Sequence, residues 1–428
     1  MNSVPGPAAP HRGVHLCVQW PSLGPYHLAR LQQAGLHCRE ASIRLTALEL
    51  CEVDVMGRSA SELDVEASFE RVTVFPGAAV EDLYPQLVEQ EIRKALDRLN
   101  PDVVAITSYS MPDSRATLAW CLDRGKGAVL MTDSRKEDAG RTRWREWLKS
   151  VIVSRFGSAL VAGTPQREYL EALGFPSSCI FTGYDVVDNE FFAGAADRIR
   201  ASVQSTYDLP GLDDDQPFFL SVGRIIRRKG LFTLIDGYEL YRRTDPNPWR
   251  LVVVGDGNDL AEVQRYIESK KVDGVTFAGD QPAEIVPNYY ARAGALVHPA
   301  LSDQWGLVVN EAMASGLPVI VSEGAGSAVD LAIEEQTGFT FPIGDAARLA
   351  ERMNTVASNE QLRREMGVMA RKVISGWSLD RFAQSLIQAM RCAETRASRR
   401  NVLDPGRLLL RVLHVLSRRM TSFHTVEA

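Results

Sequence analysis

Short apolar runs alternate with helical stretches along this 428-residue chain, and the whole series occurs twice. The predicted strands of the first series are residues 14–20, 71–75, 102–107, 128–132 and 159–162. Those of the second series are residues 217–222, 249–254, 275–278, 295–299 and 318–321. Helical periodicity lies between them, as in residues 26–34, 87–99 and 166–173. Strands that alternate with helices form parallel sheets, so the sequence predicts an α/β fold with two Rossmann-like domains facing a central cleft.

The two series are separated by a linker that is first helical and then, at residues 207–217, rich in Asp, Pro and Gly. We place the domain boundary in this region and predict an N-terminal domain at residues 1–196 and a C-terminal domain at residues 197–376. The three aspartates at 213–215 lie in this linker, just before a predicted strand. Acidic turn residues are common at such places, so we predict no metal site there.

The composition is that of an ordinary globular protein, with 45% hydrophobic and 24% charged residues. No apolar run approaches the ~18 residues of a membrane-spanning helix, and the N-terminus lacks the apolar core of a signal peptide. These features predict a cytoplasmic protein. The six cysteines lack a close pairing or the spacing of a zinc site, which predicts reduced thiols at Cys17, Cys38, Cys51, Cys121, Cys179 and Cys392.

The net charge of −6 argues against a general nucleic-acid-binding protein, and this charge is unevenly distributed. Residues 134–156 carry a net charge of +4 and residues 396–428 one of +5, so the rest of the chain carries −15. Two basic segments on an acidic body predict local contacts with anions, such as the inner face of a membrane. The alternative interpretation is a pair of solvated surface helices.

Both basic segments have the composition of an interfacial helix. In the first, cations alternate with tryptophans: Arg141, Arg143, Arg145 and Lys149 with Trp144 and Trp147. In the tail at 396–428, a cationic stripe lies opposite an apolar one: Arg407, Arg411, His414 and Arg418 against Leu409, Val412, Leu413 and Leu416. A lipid-linked substrate would explain both segments. Packing of the tail on the protein itself is the alternative.

The first motif with a chemical implication is SVGRIIRRKG at residues 221–230, where a strand passes through a glycine into a helix start. Gly223 allows a phosphate to approach the backbone, and Arg224 and Lys229 offer positive charge to a diphosphate. A second glycine turn follows the next strand at Gly255, in VGDG. By themselves, both patterns also occur in ordinary surface loops and strand-to-helix turns.

The third motif starts at the end of a predicted strand and runs HPALSDQWGLVVNEAMASGLPVI, residues 298–320. Gly306 opens a helix whose first N–H groups, at Gly306, Leu307 and Val308, suit an anionic phosphate. Asp303 precedes this helix and is placed to reach a sugar hydroxyl, whereas Glu311 is placed to accept hydrogen bonds from ribose hydroxyls. The alternative is ordinary helix capping by Ser302 or Asp303, with Glu311 as a solvated helix residue. The combination with the first motif favours the functional interpretation.

In their order and spacing, these motifs resemble the retaining glycosyltransferases of family 4, which have the GT-B fold. Residues 217–325 follow the family pattern: V-G-R, then K-G, then G-x-G, then two acids separated by seven residues. The core of this last signature reads F-G-L-x-x-x-E-A-M-A-x-G-x-P-V, and here Trp305 replaces the Phe. The stretch EQTGFTF at 335–341 also resembles a family feature. In such proteins a last helix crosses back to the first domain. Here this segment is residues 377–395, which starts with Trp377 just before the helix. Residues 14–195 resemble the family only in layout and in the boundary element GYDVVDNEFF.

The resemblance implies roles for the matching residues. Arg224 and Lys229 would bind the donor diphosphate, Glu311 the ribose, and the backbone from Gly306 to Val308 a phosphate or the sugar. The first acid of the signature, usually Glu, would contact the donor sugar; here it is Asp303, one methylene shorter. The resemblance further implies retention of configuration by front-face attack, with no metal and no other cofactor.

In the predicted N-terminal domain, Gly24 and His27 follow the first strand and are candidates for contacting a phosphate or the acceptor. A purely local role of His27 at a helix start is the alternative. The stretch TDSRK at 132–136 follows another strand at the same sheet edge. It is a second candidate for lining the acceptor site, or an ordinary surface loop.

Taken together, the sequence predicts an enzyme that transfers a sugar from a nucleotide-diphosphate sugar to a hydroxyl acceptor, a lipid-linked or polysaccharide precursor in glycan synthesis. A UDP-sugar is favoured as donor, and a GDP-sugar is possible. The alternatives are a nucleotide-sugar epimerase or phosphorylase of the same architecture, or a non-catalytic nucleotide-sugar-binding protein. A NAD-dependent dehydrogenase is disfavoured, because no G-x-G-x-x-G with a following acid comes after the first strand.

Overall fold

A computed structural model describes residues 13–52, 67–79, 83–138, 142–202, 209–212 and 216–398. Within them the strands are β1 His15–Trp20, β2 Arg44–Glu49, β3 Glu70–Thr73, β4 Val103–Thr107, β5 Gly127–Thr132, β6 Ser158–Val161, β7 Ile180–Thr182, β8 Phe218–Val222, β9 Arg250–Val254, β10 Val275–Gly279, β11 Ala295–His298, β12 Val319–Ser322 and β13 Gly338–Phe341. The helices are α1 Pro25–Glu40, α2 Pro85–Leu99, α3 Pro112–Arg124, α4 Arg143–Val153, α5 Thr164–Ala172, α6 Asn189–Ala201, α7 Leu231–Thr244, α8 Leu260–Lys270, α9 Val286–Arg292, α10 Leu307–Ala314, α11 Ala328–Leu331, α12 Ala346–Ser358, α13 Glu360–Ile374 and α14 Leu379–Ser398. The predicted α/β alternation is confirmed.

The first sheet has seven strands in the order β3-β2-β1-β4-β5-β6-β7. Its central strand β1 pairs in parallel with β2 on one side and β4 on the other, with Leu16 opposite both Leu45 and Val103. The residues of β1 and nearly all of those of β4 are buried. Strands with this burial need helices on both faces, which explains their continuous apolar sequences.

The second sheet has six strands in the order β10-β9-β8-β11-β12-β13. Its pairs are parallel, with Phe219 on β8 opposite both Leu251 and Ala295. The strand order reverses between β8 and β11, since β9 and β10 extend to one side and β11 to β13 to the other. In open parallel sheets, ligands bind at the carboxyl ends of the strands where the order reverses. This rule directs attention to the loops after Val222 and His298.

Three strands were not predicted, namely β2, β7 and β13. Strand β2 contains the polar residues Thr46 and Glu49 and therefore lacks the continuous apolar pattern of its neighbours. Both side chains are nevertheless fully buried. Their polar atoms have partners: Thr46 Oγ1 lies 2.8 Å from His15 Nε2, and Glu49 accepts a hydrogen bond of 2.7 Å from Arg71. Buried polar groups that are paired in this way are tolerated inside a sheet.

The chain divides into two compact units. The first comprises residues 1–131, 148–160 and 383–428, and the second comprises residues 132–147 and 161–382. The division predicted from the sequence, at residues 196/197 and 376/377, stays a prediction. The tail stripe, Arg141 and the aspartates at 213–215 lie outside the described residues. Within the described ranges, no helix combines the length and apolarity that crossing a bilayer requires.

Candidate active site

Glycines bring the ends of neighbouring strands close together in the second sheet. Gly255, after β9, has a φ of +133°, and a Cβ on it would lie 2.0 Å from the carbonyl oxygen of Gly223, after β8. Only glycine allows this approach. The Cβ position of Gly223 itself has no atom within 4 Å. The backbone at Gly223 is therefore accessible to a ligand on that side.

A charged cluster of Lys229, His298 and Asp303 lies where β8 and β11 end. Lys229 is the last residue of a 3₁₀ turn, Arg227–Lys229, and its Nζ lies 2.5 Å from Asp303 Oδ2. The same carboxylate oxygen lies 2.9 Å from His298 Nε2, at the end of β11. The Asp303 side chain is 10% exposed and that of Lys229 is 19% exposed.

The electrostatics of the cluster hold Asp303 ionised. Burial acts to raise the pKa of Asp303, but the hydrogen bond with His298 and the positive charge of Lys229 outweigh it, so this pKa lies well below its usual range. A second cation, Arg228, approaches the other carboxylate oxygen at 3.9 Å. The site thus presents a fixed carboxylate that orients a lysine ammonium.

Arg224 and Gly223 line a small cleft together with Lys229 and His298. The structure therefore brings together three residues that the sequence predicted to act on a diphosphate. It adds His298, to which we had assigned no role. The position of His298, at the end of a strand and five residues before Asp303, was the available signal.

Helix α10 begins beside this cluster. Its N-cap, Gly306, has a φ of +95°, and a Cβ there would lie 2.9 Å from His298 Nε2. Glycine is therefore required for Leu307 and Val308 to start the helix so close to the cluster. No side chain caps α10, so the alternative of capping by Ser302 or Asp303 is wrong. The helix N-terminus adds partial positive charge next to Lys229.

Glu311, one turn into α10, is only 2% exposed. Its Oε2 accepts a hydrogen bond of 2.7 Å from the hydroxyl of Tyr290 on α9. The alternative that Glu311 is a solvated helix residue is wrong. Tyr290 was not foreseen, because nothing in the sequence around α9 distinguishes it from the core tyrosine beside it, Tyr289.

Gly24 and His27 lie in the first unit, at the start of α1. The backbone N–H of Gly24 donates to His27 Nδ1 over 3.0 Å, and the His27 ring lies 5.0 Å from that of Trp20. Burial and the neighbouring Arg30 lower the pKa of His27 to about 3. The imidazole is therefore neutral, and because Nδ1 accepts, its hydrogen is on Nε2.

The stretch after β5 carries a further acid in the second unit. Burial, followed by the charges of Asp185, Asp138 and Asp303, raises the pKa of Asp133 to about 7. Two residues on, Arg135 is 6% exposed and donates to the carbonyl oxygen of Gly324 over 2.8 Å. The same carbonyl accepts from the backbone N–H of Asp303 at 3.0 Å. The alternative that residues 132–136 form an ordinary surface loop is wrong for Arg135.

Solved structures with the same architecture include a glycosyltransferase. The chain is similar to a glycosyltransferase from Rickettsia africae ESF-5 at 14% identity and a TM-score of 0.67, covering 89% of this chain and 98% of that one. It is 15% identical to HepE of Anabaena in complex with UDP, with a TM-score of 0.64, covering 89% of this chain and 99% of that one. It is 20% identical to sucrose-phosphate synthase of Thermosynechococcus elongatus, with a TM-score of 0.66, covering 88% of this chain and 98% of that one. At these identities the likeness shows the fold, which is GT-B.

A comparison with protein-family models identifies the domain that contains the second sheet. Residues 208–373 match the family Glycosyl transferases group 1. This range contains β8 to β13, the charged cluster and α10. The chain therefore carries a glycosyltransferase domain of the GT-B type, and the enzyme class predicted from the sequence is confirmed at this level. A comparison with curated protein sequences finds no match.

Proposed function

We propose that this protein is a retaining glycosyltransferase of family 4 that transfers a sugar from a nucleotide-diphosphate sugar to a hydroxyl acceptor. The observation that carries the proposal is the charged cluster of Lys229, His298 and Asp303 beside the N-terminus of α10. Two cations, Arg224 and Lys229, line one cleft there. A diphosphate leaving group requires this concentration of positive charge.

The reaction breaks the bond between the anomeric carbon of the donor sugar and the diphosphate oxygen. A bond forms between that carbon and the acceptor oxygen, on the same face, so the configuration is retained. The electron pair leaves with the nucleoside diphosphate, and the acceptor proton passes to its phosphate oxygen. Arg224, Lys229 and the α10 N-terminus stabilise the negative charge that grows on the leaving group. Asp303 orients Lys229 and binds a hydroxyl of the donor sugar.

A UDP-sugar is the favoured donor, with a GDP-sugar as the second choice. HepE of Anabaena, which shares the fold, has been solved with UDP and with UDP-glucose. Glu311 is the ribose ligand in this proposal, and the Tyr290 hydroxyl holds its carboxylate in place. Gly223, Gly255 and the backbone of Gly306, Leu307 and Val308 surround the phosphates.

The acceptor is a lipid-linked or polysaccharide precursor, used by a cytoplasmic enzyme that is peripheral on the inner face of the membrane. Trp144 and Trp147 on α4 support this, since they are 61% and 59% exposed. The guanidinium of Arg145 lies over the Trp144 ring, 5.4 Å from its centroid. Exposed tryptophans flanked by arginines are typical of helices that bind anionic membrane surfaces.

A screen of nucleotide sugars by thermal shift tests the donor. A donor at 100 times its Kd should raise the free energy of unfolding by roughly 2.7 kcal/mol. The anomeric configuration of the product, read by NMR, then tests retention. Turnover of the donor to an isomer without any acceptor would instead identify an epimerase. Binding without turnover would identify a non-catalytic protein.

The membrane contact needs its own experiment. Trp144→Ser with Trp147→Ser should reduce sedimentation with anionic liposomes and leave nucleotide-sugar binding unchanged. Since both side chains are exposed, the unfolding transition should also stay unchanged. Deleting residues 402–428 tests the tail separately. Unchanged sedimentation in both variants would contradict a membrane contact.

A further inference from the structure

The second unit contains a cavity of about 450 Å³ that the proposed reaction does not yet use. This volume lies in the range of small-molecule binding sites. One wall is formed by α5, with Glu168, Tyr169 and Ala172. Leu301 and Ser302, the two residues directly before Asp303, also line the cavity.

The cavity wall and Asp303 are parts of one hydrogen-bonded structure. The backbone N–H of Asp303 donates to the carbonyl oxygen of Gly324 over 3.0 Å, and Asp303 forms a parallel bridge with Ala325. Gly324 and Ala325 both line the cavity. A Cβ on Gly324 would lie 2.3 Å from the carbonyl oxygen of Ala300, so the two loops are in tight contact. A ligand in the cavity therefore lies against the loop that carries the proposed sugar-binding acid.

The positive charges at the cavity are largely neutralised. Arg135, whose side chain is 5% exposed, pairs with Asp138 at 3.2 Å and donates to the Gly324 carbonyl. At the N-terminus of α5, the backbone N–H and the hydroxyl of Thr164 both donate to the carboxylate of Asp330, over 2.8 and 2.6 Å. Neither group is therefore available as a phosphate-binding site.

The rest of the lining combines carboxylates with apolar groups. Glu137, Glu168 and Glu323 are exposed, and they face a single further cation, Lys136, among the lining residues. The side chains of Val329 and Ile343 are 67% and 53% exposed. Carboxylates accept hydrogen bonds from hydroxyl groups but repel phosphates. Apolar side chains contact the C–H faces of a sugar ring without loss of hydrogen bonds.

We propose that this cavity binds the acceptor, and that the acceptor group held there is an uncharged sugar rather than a phosphorylated one. The inference rests on the proposed function, because it requires a glycosyl donor beside Asp303. It goes further by giving the acceptor a site and a chemical class. The carboxylates bind its hydroxyls, and Val329 and Ile343 contact its ring.

Two matched tryptophan variants test the position of the site. Val329→Trp fills the cavity, whereas Val368→Trp, on α13, replaces a valine of similar exposure, 72%. The donor is the nucleotide sugar selected by the thermal-shift screen, and the acceptors are lactose, maltose and cellobiose. Val329→Trp should raise the KM for the accepted sugar at least tenfold and leave the KM for the donor unchanged. Val368→Trp should change neither. An unchanged acceptor KM in Val329→Trp would overturn the proposal.

A charge variant tests the chemical class. Glu168→Gln with Glu323→Gln should weaken neutral-sugar binding by roughly tenfold or more, since hydrogen bonds to charged groups are stronger than those to neutral groups. The same variant should bind glucose 6-phosphate better than the unaltered protein does. Glu365→Gln, exposed on α13, is the control. Two results would overturn the proposal. In the first, glucose 6-phosphate binds the unaltered protein as tightly as the neutral sugars do. In the second, none of the neutral sugars binds.

The two proposals fail in different ways. If no nucleotide sugar binds or reacts, the proposed glycosyl transfer is wrong. If the donor binds and is hydrolysed while the cavity variants leave acceptor kinetics unchanged, only the assignment of the cavity is wrong.

Discussion

The two sheets share one topology but differ in the charge that their strand ends present. In each, the first strand lies inside the sheet, with the next two strands on one side and the later strands on the other. Each sheet therefore has a crevice where the order reverses, between β1 and β4 and between β8 and β11. Lys229, His298 and Asp303 lie at or after the carboxyl ends of β8 and β11. After β1 stand Gly24 and a neutral His27.

This difference indicates a division of work between the sheets. The fold supplies a crevice in both, and the side chains decide what each crevice binds. In the proposed reaction, fixed positive charge is needed where the diphosphate binds, and the second sheet carries it. A neutral imidazole with its hydrogen on Nε2 suits an uncharged partner, such as a sugar hydroxyl. The predictions below test this division, from the largest expected effect to the smallest.

Lys229→Ala should cause the largest loss. Removing one charge that stabilises the transition state lowers kcat on the order of 10²–10³-fold. Since Lys229 also pairs with the buried Asp303, the variant should be less stable as well. Lys270→Ala is the matched control, because Lys270 is likewise paired with an aspartate, Asp236, at 2.7 Å. A kcat near normal in Lys229→Ala would remove the lysine from the mechanism.

Much of this site was predictable from the sequence, because the donor half carries its chemistry in consecutive motifs. Residues 221–230 and 298–320 place Arg224, Lys229, Asp303 and Gly306 at strand ends that parallel pairing must bring together. What the sequence did not provide was the partner of each group. The pairing of Glu311 with Tyr290 and of Arg135 with the Gly324 carbonyl depends on tertiary packing across 21 and 189 residues.

Replacing Asp303 and replacing Glu311 should affect different steps of the reaction. Asp303→Asn should lower kcat more than nucleotide affinity, because the acid acts on the sugar and on Lys229. Glu311→Gln should do the reverse and raise the Kd for the free nucleoside diphosphate by roughly 10–100-fold, the value of a charge-assisted hydrogen bond. Gln is preferred to Ala because it still accepts from the Tyr290 hydroxyl. Calorimetry with UDP and steady-state kinetics measure the two effects. Equal losses of affinity in both variants would contradict the division of roles.

His27→Ala tests the neutral crevice. Loss of one uncharged hydrogen bond should reduce kcat by up to about tenfold. Because the pKa of His27 is lowered to about 3, the residue stays neutral from pH 5 to pH 8, and the unaltered enzyme should show no ionisation of His27 in its rate profile there. His37→Ala, on the same helix, is the control. A change in the pH dependence of the rate between pH 5 and pH 8 on replacing His27 would show that the imidazole titrates and that the crevice is not neutral.

Asp133→Asn should produce the smallest effect on the rate, because it acts on stability instead. Asp133 follows β5 of the first sheet, yet its pKa is raised to about 7 by burial and by acids that include Asp303 of the second. An unfolded Asp titrates near 3.9, so between about pH 4 and pH 7 the native state binds more protons than the unfolded state. Stability then falls as the pH rises through this window. Replacing the carboxyl by an amide removes that loss, so Asp133→Asn should be more stable at pH 8, by up to about 4 kcal/mol for a shift of about three pKa units, and nearly unchanged at pH 4. Thermal unfolding at both pH values measures this difference, with the exposed Asp280→Asn as control. A stabilisation of equal size at both pH values would show that Asp133 does not titrate in this range. The pKa of Asp133 would then not be raised by the acids around Asp303.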